Sequence, residues 1–301
     1  MSASPHHGPG AALIIRVLGV FALSTTILLV KLCGERGIHL TEIMFWRQFT
    51  TVPIVGVWLW RTNSLGTLRT DRFPAHLRRA VFGMMAMTFV FGSAQMLPLA
   101  EAQTLAFTGP FFATLLAMII LKEKVGWWRW TGLLLGFGGI LIIARPGHSD
   151  IPPLGVAIGL TAAFLVALLS IMIKDLNRTD RPLAIVFWFS LLSSPMVGAF
   201  LPFTMTAHDA ESWWLLLALG ITGAIGQILL TLALRYGAVS AVIVMDYSGL
   251  IWATLYGWLV WDQVPTRSTW FGAPLIIAAG LIIAWREHRL ARTRAALSVA
   301  P

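Results

Sequence analysis

The sequence predicts an all-α membrane protein with ten transmembrane helices in two inverted-topology five-helix repeats and both termini cytoplasmic. Three observations predict it. Ten apolar stretches have bilayer-spanning length, at 11–33, 40–60, 80–99, 102–121, 127–144, 152–173, 182–203, 212–234, 238–261 and 268–285. A helix of about 20 residues covers about 30 Å of hydrocarbon. The stretches fall into two sets of five that resemble each other, and copying a unit with an odd number of spans reverses its direction in the bilayer. Lysine and arginine are also strongly biased to one side.

Apolar residues make up 57% of the 301-residue chain and charged residues 12%, against about 25% charged in soluble domains. Ten spans leave almost no length for a soluble domain. A closed barrel would need alternating ten-residue strands, and the apolar runs here are continuous.

In chain order, span 1 carries Phe21 and then Lys31 ten residues on; span 6 repeats this with Phe164 and Lys174. Span 2 reads Phe45-Trp46 and then Pro53, and span 7 reads Phe187-Trp188 and then Pro195. Span 4 ends near Glu123 and Val125, span 9 near Asp262 and Val264. The offsets are 143, 142 and 139, which is one duplication with small indels. Spans 3 and 8 each hold one glutamine, Gln95 and Gln227. Span 5 has Gly132, Gly136 and Gly139 at close-packing spacing, and span 10 leads into a basic tail. The boundaries that follow are a disordered tail at 1–10, repeats at 11–147 and 148–288, and a basic cytoplasmic tail at 289–301.

With the N-terminus inside, 17 of the 22 basic residues fall on the cytoplasmic side, 4 outside, and Arg47 inside a span. The net charge of +9 is therefore a topology signal and not a nucleic-acid footprint. Eleven of the fourteen tryptophans lie near span ends, as an interfacial belt. Cys33 is the only cysteine, so no intrachain disulfide forms. No cleavable signal peptide is read at the N-terminus. Localisation follows as the bacterial inner membrane.

The stretch Leu97–Gly147, LPLAEAQTLAFTGPFFATLLAMIILKEKVGWWRWTGLLLGFGGILIIARPG, resembles the first-half signature of EamA-type members of the drug/metabolite transporter superfamily. Ala233–Glu287, centred on MDYSGLIWATLYGWLVWDQVP, resembles the matching second-half segment. The resemblance implies two inverted five-helix halves around a central cavity lined mainly by spans 1, 3, 4, 6, 8 and 9, with spans 5 and 10 peripheral. Known members export amino acids, aromatic ones included, and other small metabolites; others carry nucleotide-linked or cationic compounds. Family sequences often have Glu before Tyr in span 9, where this chain has Asp246-Tyr247.

Candidate site residues follow from cost. An ionised carboxylate near mid-bilayer costs at least about 2.5–3.5 kcal/mol, so Asp246 either meets substrate or a proton, or makes a packing hydrogen bond beside Gly249. Arg47 either receives a substrate carboxylate or snorkels and pairs locally. Gln95 and Gln227 bind substrate or bridge helices. Phe107, Phe111, Trp188, Tyr247 and Trp252 line an aromatic surface or pack between helices. Gly109-Pro110, Pro53 and Pro195 are expected hinges, since proline removes a backbone hydrogen bond. Glu101 and Gln103 read as a helix start.

No ATP-binding GxxxxGK[ST], no HExxH and no convergent nucleophile–base set occurs, and all seven histidines lie outside the spans. The expectation is a secondary carrier, not an enzyme, with no cofactor and no metal. Its partners are a small-molecule substrate and the lipid bilayer, with a homodimer left open.

Overall fold

The computed structural model describes residues 9–109, 111–112, 115–116, 127–144, 152–236 and 244–297. Among the described residues the regular structure is helical, with no strand. The helices are α1 (Pro9–Glu35), α2 (Leu40–Arg61), α3 (Phe73–Met96), α4 (Leu99–Ala106), α5 (Trp127–Ala144), α6 (Pro153–Leu176), α7 (Pro182–Gly198), α8 (Ala210–Tyr236), α9 (Ser248–Trp261) and α10 (Arg267–Leu297).

Local chemistry sets their ends. Prolines at the first turns of α3, α6 and α7 occupy positions where the missing N–H costs nothing. The Nδ1 of His39 accepts from the Thr41 amide at the start of α2. Asp262 ends α9 in the left-handed region at φ 53°, which a short polar side chain tolerates. Helices α2 and α7 run through Pro53 and Pro195.

Three boundaries differ clearly from the sequence expectation. Helix α3 starts at Phe73, so Arg79, read as a loop charge, lies two turns inside a helix. Asp246, read as a residue inside span 9, sits in a short 3₁₀ turn, Val244–Tyr247, just before α9. The tail boundary at 289 also falls inside α10, which continues to Leu297.

Helix partners come in matched sets. α1 packs on α8 and α6 on α3; α1 on α9 and α6 on α4; α2 on α8 and α7 on α3. The pairs α2–α7, α4–α9 and α5–α10 complete the arrangement. Directions follow from which residues meet. α1 and α9 are parallel, since Phe21 meets Trp252 and Thr25 meets Tyr256. α9 and α4 are antiparallel, with Tyr247 on Phe107 and Gly249 beside Gln103. α4 and α6 are parallel, with Leu105 beside Gly159 and Phe112 on Phe164. Helices α1 and α6 therefore run in opposite directions.

Burial is unequal along the bundle. The largest apolar cluster joins Val30, Cys33, Ile43, Met44, Phe91 and Leu216 with their neighbours, toward the end that carries the 36–39 turn. The cluster of Ala75, Leu176 and Ile185 at the opposite end is small. The perimeter stays apolar: Phe203, Trp214, Val264 and Phe271 are all exposed, a surface suited to lipid. Among the described residues three helices contain runs long and apolar enough to cross a bilayer: Ile14–Glu35, Pro153–Ile173 and Ala210–Ala233. α7 is a shorter apolar helix. The α4 region is broken by a turn at Phe107-Thr108 and α9 follows the Val244–Tyr247 turn, so neither reads as one long span.

Candidate functional site

A cavity of about 1080 Å³ lies between the two sets of helices. Both α1, α3 and α4 and α6, α8 and the turn before α9 contribute to its wall. At one end it reaches the α6–α7 loop, where the exposed residues Arg178, Thr179 and Arg181 line its mouth.

The opposite end is tied shut. Lys31 Nζ donates to the carbonyl of Leu97 at 2.9 Å and sits over the Trp261 ring. Glu101 Oε1 accepts from the Thr266 amide at 3.1 Å and the Thr269 hydroxyl at 3.2 Å. His208 Nε2 lies 2.7 Å from Glu42 Oε1. Arg36 pairs with Glu211 and, at 3.8 Å, with Asp209. Asp209 also caps α8 through the Ser212 amide; hydrogen bonds from Ser212 hold its carboxyl below the usual range.

The open end carries ties of the same kind on its flank. Arg72 pairs with Asp175 at 2.5 Å. His76 Nε2 lies 3.5 Å from Asp180 Oδ1. Burial pushes the Asp180 carboxyl up, but Thr179, Thr70 and His76 outweigh it and hold the group below its ordinary value. Trp188 Nε1 donates to the Leu68 carbonyl.

Of the residues singled out in the sequence, Asp246, Tyr247, Gln227, Phe107, Arg47 and Gly109 line the cavity. Asp246 is held by Arg16 through two contacts of 2.6 Å, Nε to Oδ1 and Nη2 to Oδ2. That is a fork on a carboxylate, the strong form of an ion pair. Tyr247 stacks edge-on against Phe107 at 4.9 Å, and its hydroxyl has no partner among the described residues.

Four residues lie elsewhere. Gln95 packs over Gly34, between α3 and α1. Phe111 sits against Gly136 of α5 and beside Phe112. Trp188 is at the Leu68 end, edge-on to Phe73. Trp252 packs on Phe21 of α1. Helices apolar on every side give no signal of which face looks inward, so the sequence does not choose between a lining and a packing role for these rings. Pro110 falls outside the described residues.

Among the cavity residues that the sequence did not single out, Arg16 and Arg79 are buried charges. The charge count places both on the cytoplasmic side. Arg16 lies within the first apolar stretch, and an acid near mid-bilayer needs a counter-cation; those two facts together pointed to it. Arg79 carries no comparable mark.

Arg47 and Arg79 are 8% and 3% exposed. Arg47 donates to Gln48 Oε1 at 2.9 Å, contacts Met87 Sδ and lies 5.8 Å from the Phe91 ring centre. Arg79 lies flat enough on Phe189 for a guanidinium–centroid distance of 3.8 Å. Its Nε and Nη1, and Nε of Arg47, are buried without hydrogen-bond partners among the described residues.

The model of the EamA-like transporter family matches the chain twice, over residues 10–145 and 153–285. The pseudopaline exporter CntI of Pseudomonas aeruginosa is 29% identical over 273 residues, covering 89% of this chain and 94% of that protein. A riboflavin transporter of Rhizobium johnstonii is 32% identical over 232 residues, 76% of each chain. The S-adenosylmethionine uptake transporter of Rickettsia bellii is 27% identical over 289 residues, 91% of this chain and 93% of its own length. A solved crystal structure that shares 19% identity superposes with a TM-score of 0.65 over 94% of this chain and 99% of its own, a likeness of fold.

Proposed function

The chain belongs to the EamA-like transporter family, and from that premise we propose a ten-span alternating-access carrier that exports amino acids, aromatic ones included, and related small metabolites across the cytoplasmic membrane. Its two repeats, 11–147 and 148–288, are inverted, with both termini in the cytoplasm by the bias of 17 basic residues to 4. The single observation that carries this reading is the cavity of about 1080 Å³ between the halves, reaching one end while hydrogen bonds and ion pairs tie the other. Inverted-repeat carriers bind cargo at such an interface and expose it to one side at a time. On the charge-bias orientation the mouth at Arg178 and Arg181 faces the cytoplasm, so this is the inward-facing state.

A carboxylate entering the cavity meets Arg47 and Arg79, and an aromatic side chain meets Phe107 and Tyr247. With no nucleotide motif in the sequence, the driving force is a gradient of cargo or ion. Nothing in this arrangement serves bond-making chemistry; the reading is a carrier, not an enzyme.

Purified protein in liposomes preloaded with unlabelled phenylalanine or tyrosine is expected to accumulate the labelled amino acid by counterflow. Cells overproducing it are expected to resist toxic aromatic analogues. If no amino acid exchanges while a nucleotide-like metabolite does, the cargo assignment fails and the carrier stands. Uptake of a flavin- or nucleotide-like metabolite is the second reading, favoured by the relatives named as riboflavin and S-adenosylmethionine transporters.

A further inference from the structure

Five arginines and two aspartates line the cavity. Asp246 already faces the fork of Arg16, and Asp180 lies 3.5 Å from the ring of His76. Arg47 and Arg79, the most deeply set of the remaining cations, face no carboxylate among the described residues.

Their surroundings fit them to receive an anion. Each guanidinium lies against an aromatic face, Arg79 on Phe189 and Arg47 near Phe91. Such contacts attract the cation while leaving in-plane N–H donors free. The unpartnered donors are those edges: Nε and Nη1 of Arg79, Nε of Arg47. A buried donor without a partner is costly, the more so when charged, and an entering anion would relieve that cost at two places. Arg79 and Met87, which Arg47 contacts, are eight residues apart on α3, a rise of about 12 Å. The two arginines thus address the cavity at different depths and not as one clamp.

We propose that Arg47 and Arg79 form a two-point anion site and that the preferred cargo is a small organic dianion with acidic groups at separate positions. This rests on the carrier reading above and names its substrate class. The free amino acid with one carboxylate would satisfy only one of the two arginines.

The test is counterflow in proteoliposomes with labelled succinate, phosphoserine, phenylalanine and lysine, using the full chain. Succinate or phosphoserine is expected to exchange at least about tenfold faster than phenylalanine, and lysine slowest; each unmatched charge at about 1.4 kcal/mol gives that factor. Succinate leading identifies a dicarboxylate, phosphoserine a phosphate. Arg47→Gln and Arg79→Gln should each lower dianion exchange at least about tenfold. Melting temperatures of the same preparations check folding. Should Arg79→Gln melt early, Arg79→Lys keeps the charge but loses the planar stack, and is expected to weaken dianion exchange by roughly threefold. Wild-type preference for phenylalanine or lysine over both dianions overturns the proposal and leaves the carrier standing. So does dianion exchange unchanged in folded Arg79 variants. Exchange of none of the four probes counts against the carrier itself.

Discussion

The same backbone joint occurs twice in this molecule, filled by different side chains. Residue 47 on α2 packs against Gly223 of α8, and residue 189 on α7 packs against Gly83 of α3. The repeat offset relates Arg47 to Phe189, and the two glycines stand at nearly the same offset. In one joint the bare Cα accommodates an arginine stem: a methyl at Gly223 would lie 3.0 Å from Arg47 Cγ and Nε. In the other it accommodates a ring: a methyl at Gly83 would lie 2.5 Å from Phe189 Cε2. The geometry of helix approach was duplicated, and the chemistry on it diverged. The divergence is lopsided. The three arginines deepest in the cavity, Arg16, Arg47 and Arg79, all come from the first half, and the acid that meets one of them, Asp246, comes from the second.

The largest expected effect comes from removing that acid. Asp246→Asn leaves Arg16, 6% exposed, without its counter-charge. Breaking a buried pair from one side costs about 3–5 kcal/mol; with the Asp246 side chain 34% exposed, the expected loss is about half of that. Transport should fall at least about tenfold and the melting temperature should drop with it. Arg16→Gln combined with Asp246→Asn should recover much of the stability and none of the transport. Thermal melting and initial uptake rates on the same samples check both halves of the statement; a single Asn variant with wild-type stability would show that the pair holds nothing together.

Making the two joints alike is the next step down. Arg47→Phe copies the second-half residue into the first half, against Gly223. The buried charge disappears and an apolar ring takes its place, so the melting temperature should stay or rise, while transport falls about tenfold. Equal transport by this variant would reduce the difference between the joints to packing.

The smallest effects separate the joints mechanically. Gly83→Ala drives a methyl into the Phe189 ring, which the Arg79 guanidinium also contacts, and should cost about 1–3 kcal/mol. Gly223→Ala meets the flexible stem of Arg47, which gives way, and should cost less than about 1 kcal/mol. Melting the two variants side by side checks the order.

The duplication was visible in the chain because residue pairs such as Phe45-Trp46 and Phe187-Trp188 recur at a steady offset. The cavity lining was less visible. Asp246, Gln227, Tyr247 and Phe107 were marked by their cost or by their place near a break, whereas Gln95, Phe111, Trp188 and Trp252 turned toward other helices. Choosing among rings needs a polar face for contrast, and these helices have almost none. Arg16 and Arg79 were hidden for a different reason: a basic residue near a span end is read as lying outside the membrane, but a long stem lets a residue a turn or two inside the helix bring its head into a cavity.

The ties at the two ends obey the same duplication. Arg36 with Glu211 at one end matches Arg72 with Asp175 at the other, with the signs exchanged between partners, and His208 with Glu42 matches His76 with Asp180. A carrier of the kind proposed, which passes back and forth, has to avoid a deep well on either side. A bias of about 1.4 kcal/mol already leaves one arrangement ten times rarer than the other. Fastenings drawn from one ancestral set and reused at opposite ends start near parity, so the resting balance is set by small differences between them. A single exchanged side chain is then enough to change which way the molecule spends its time facing.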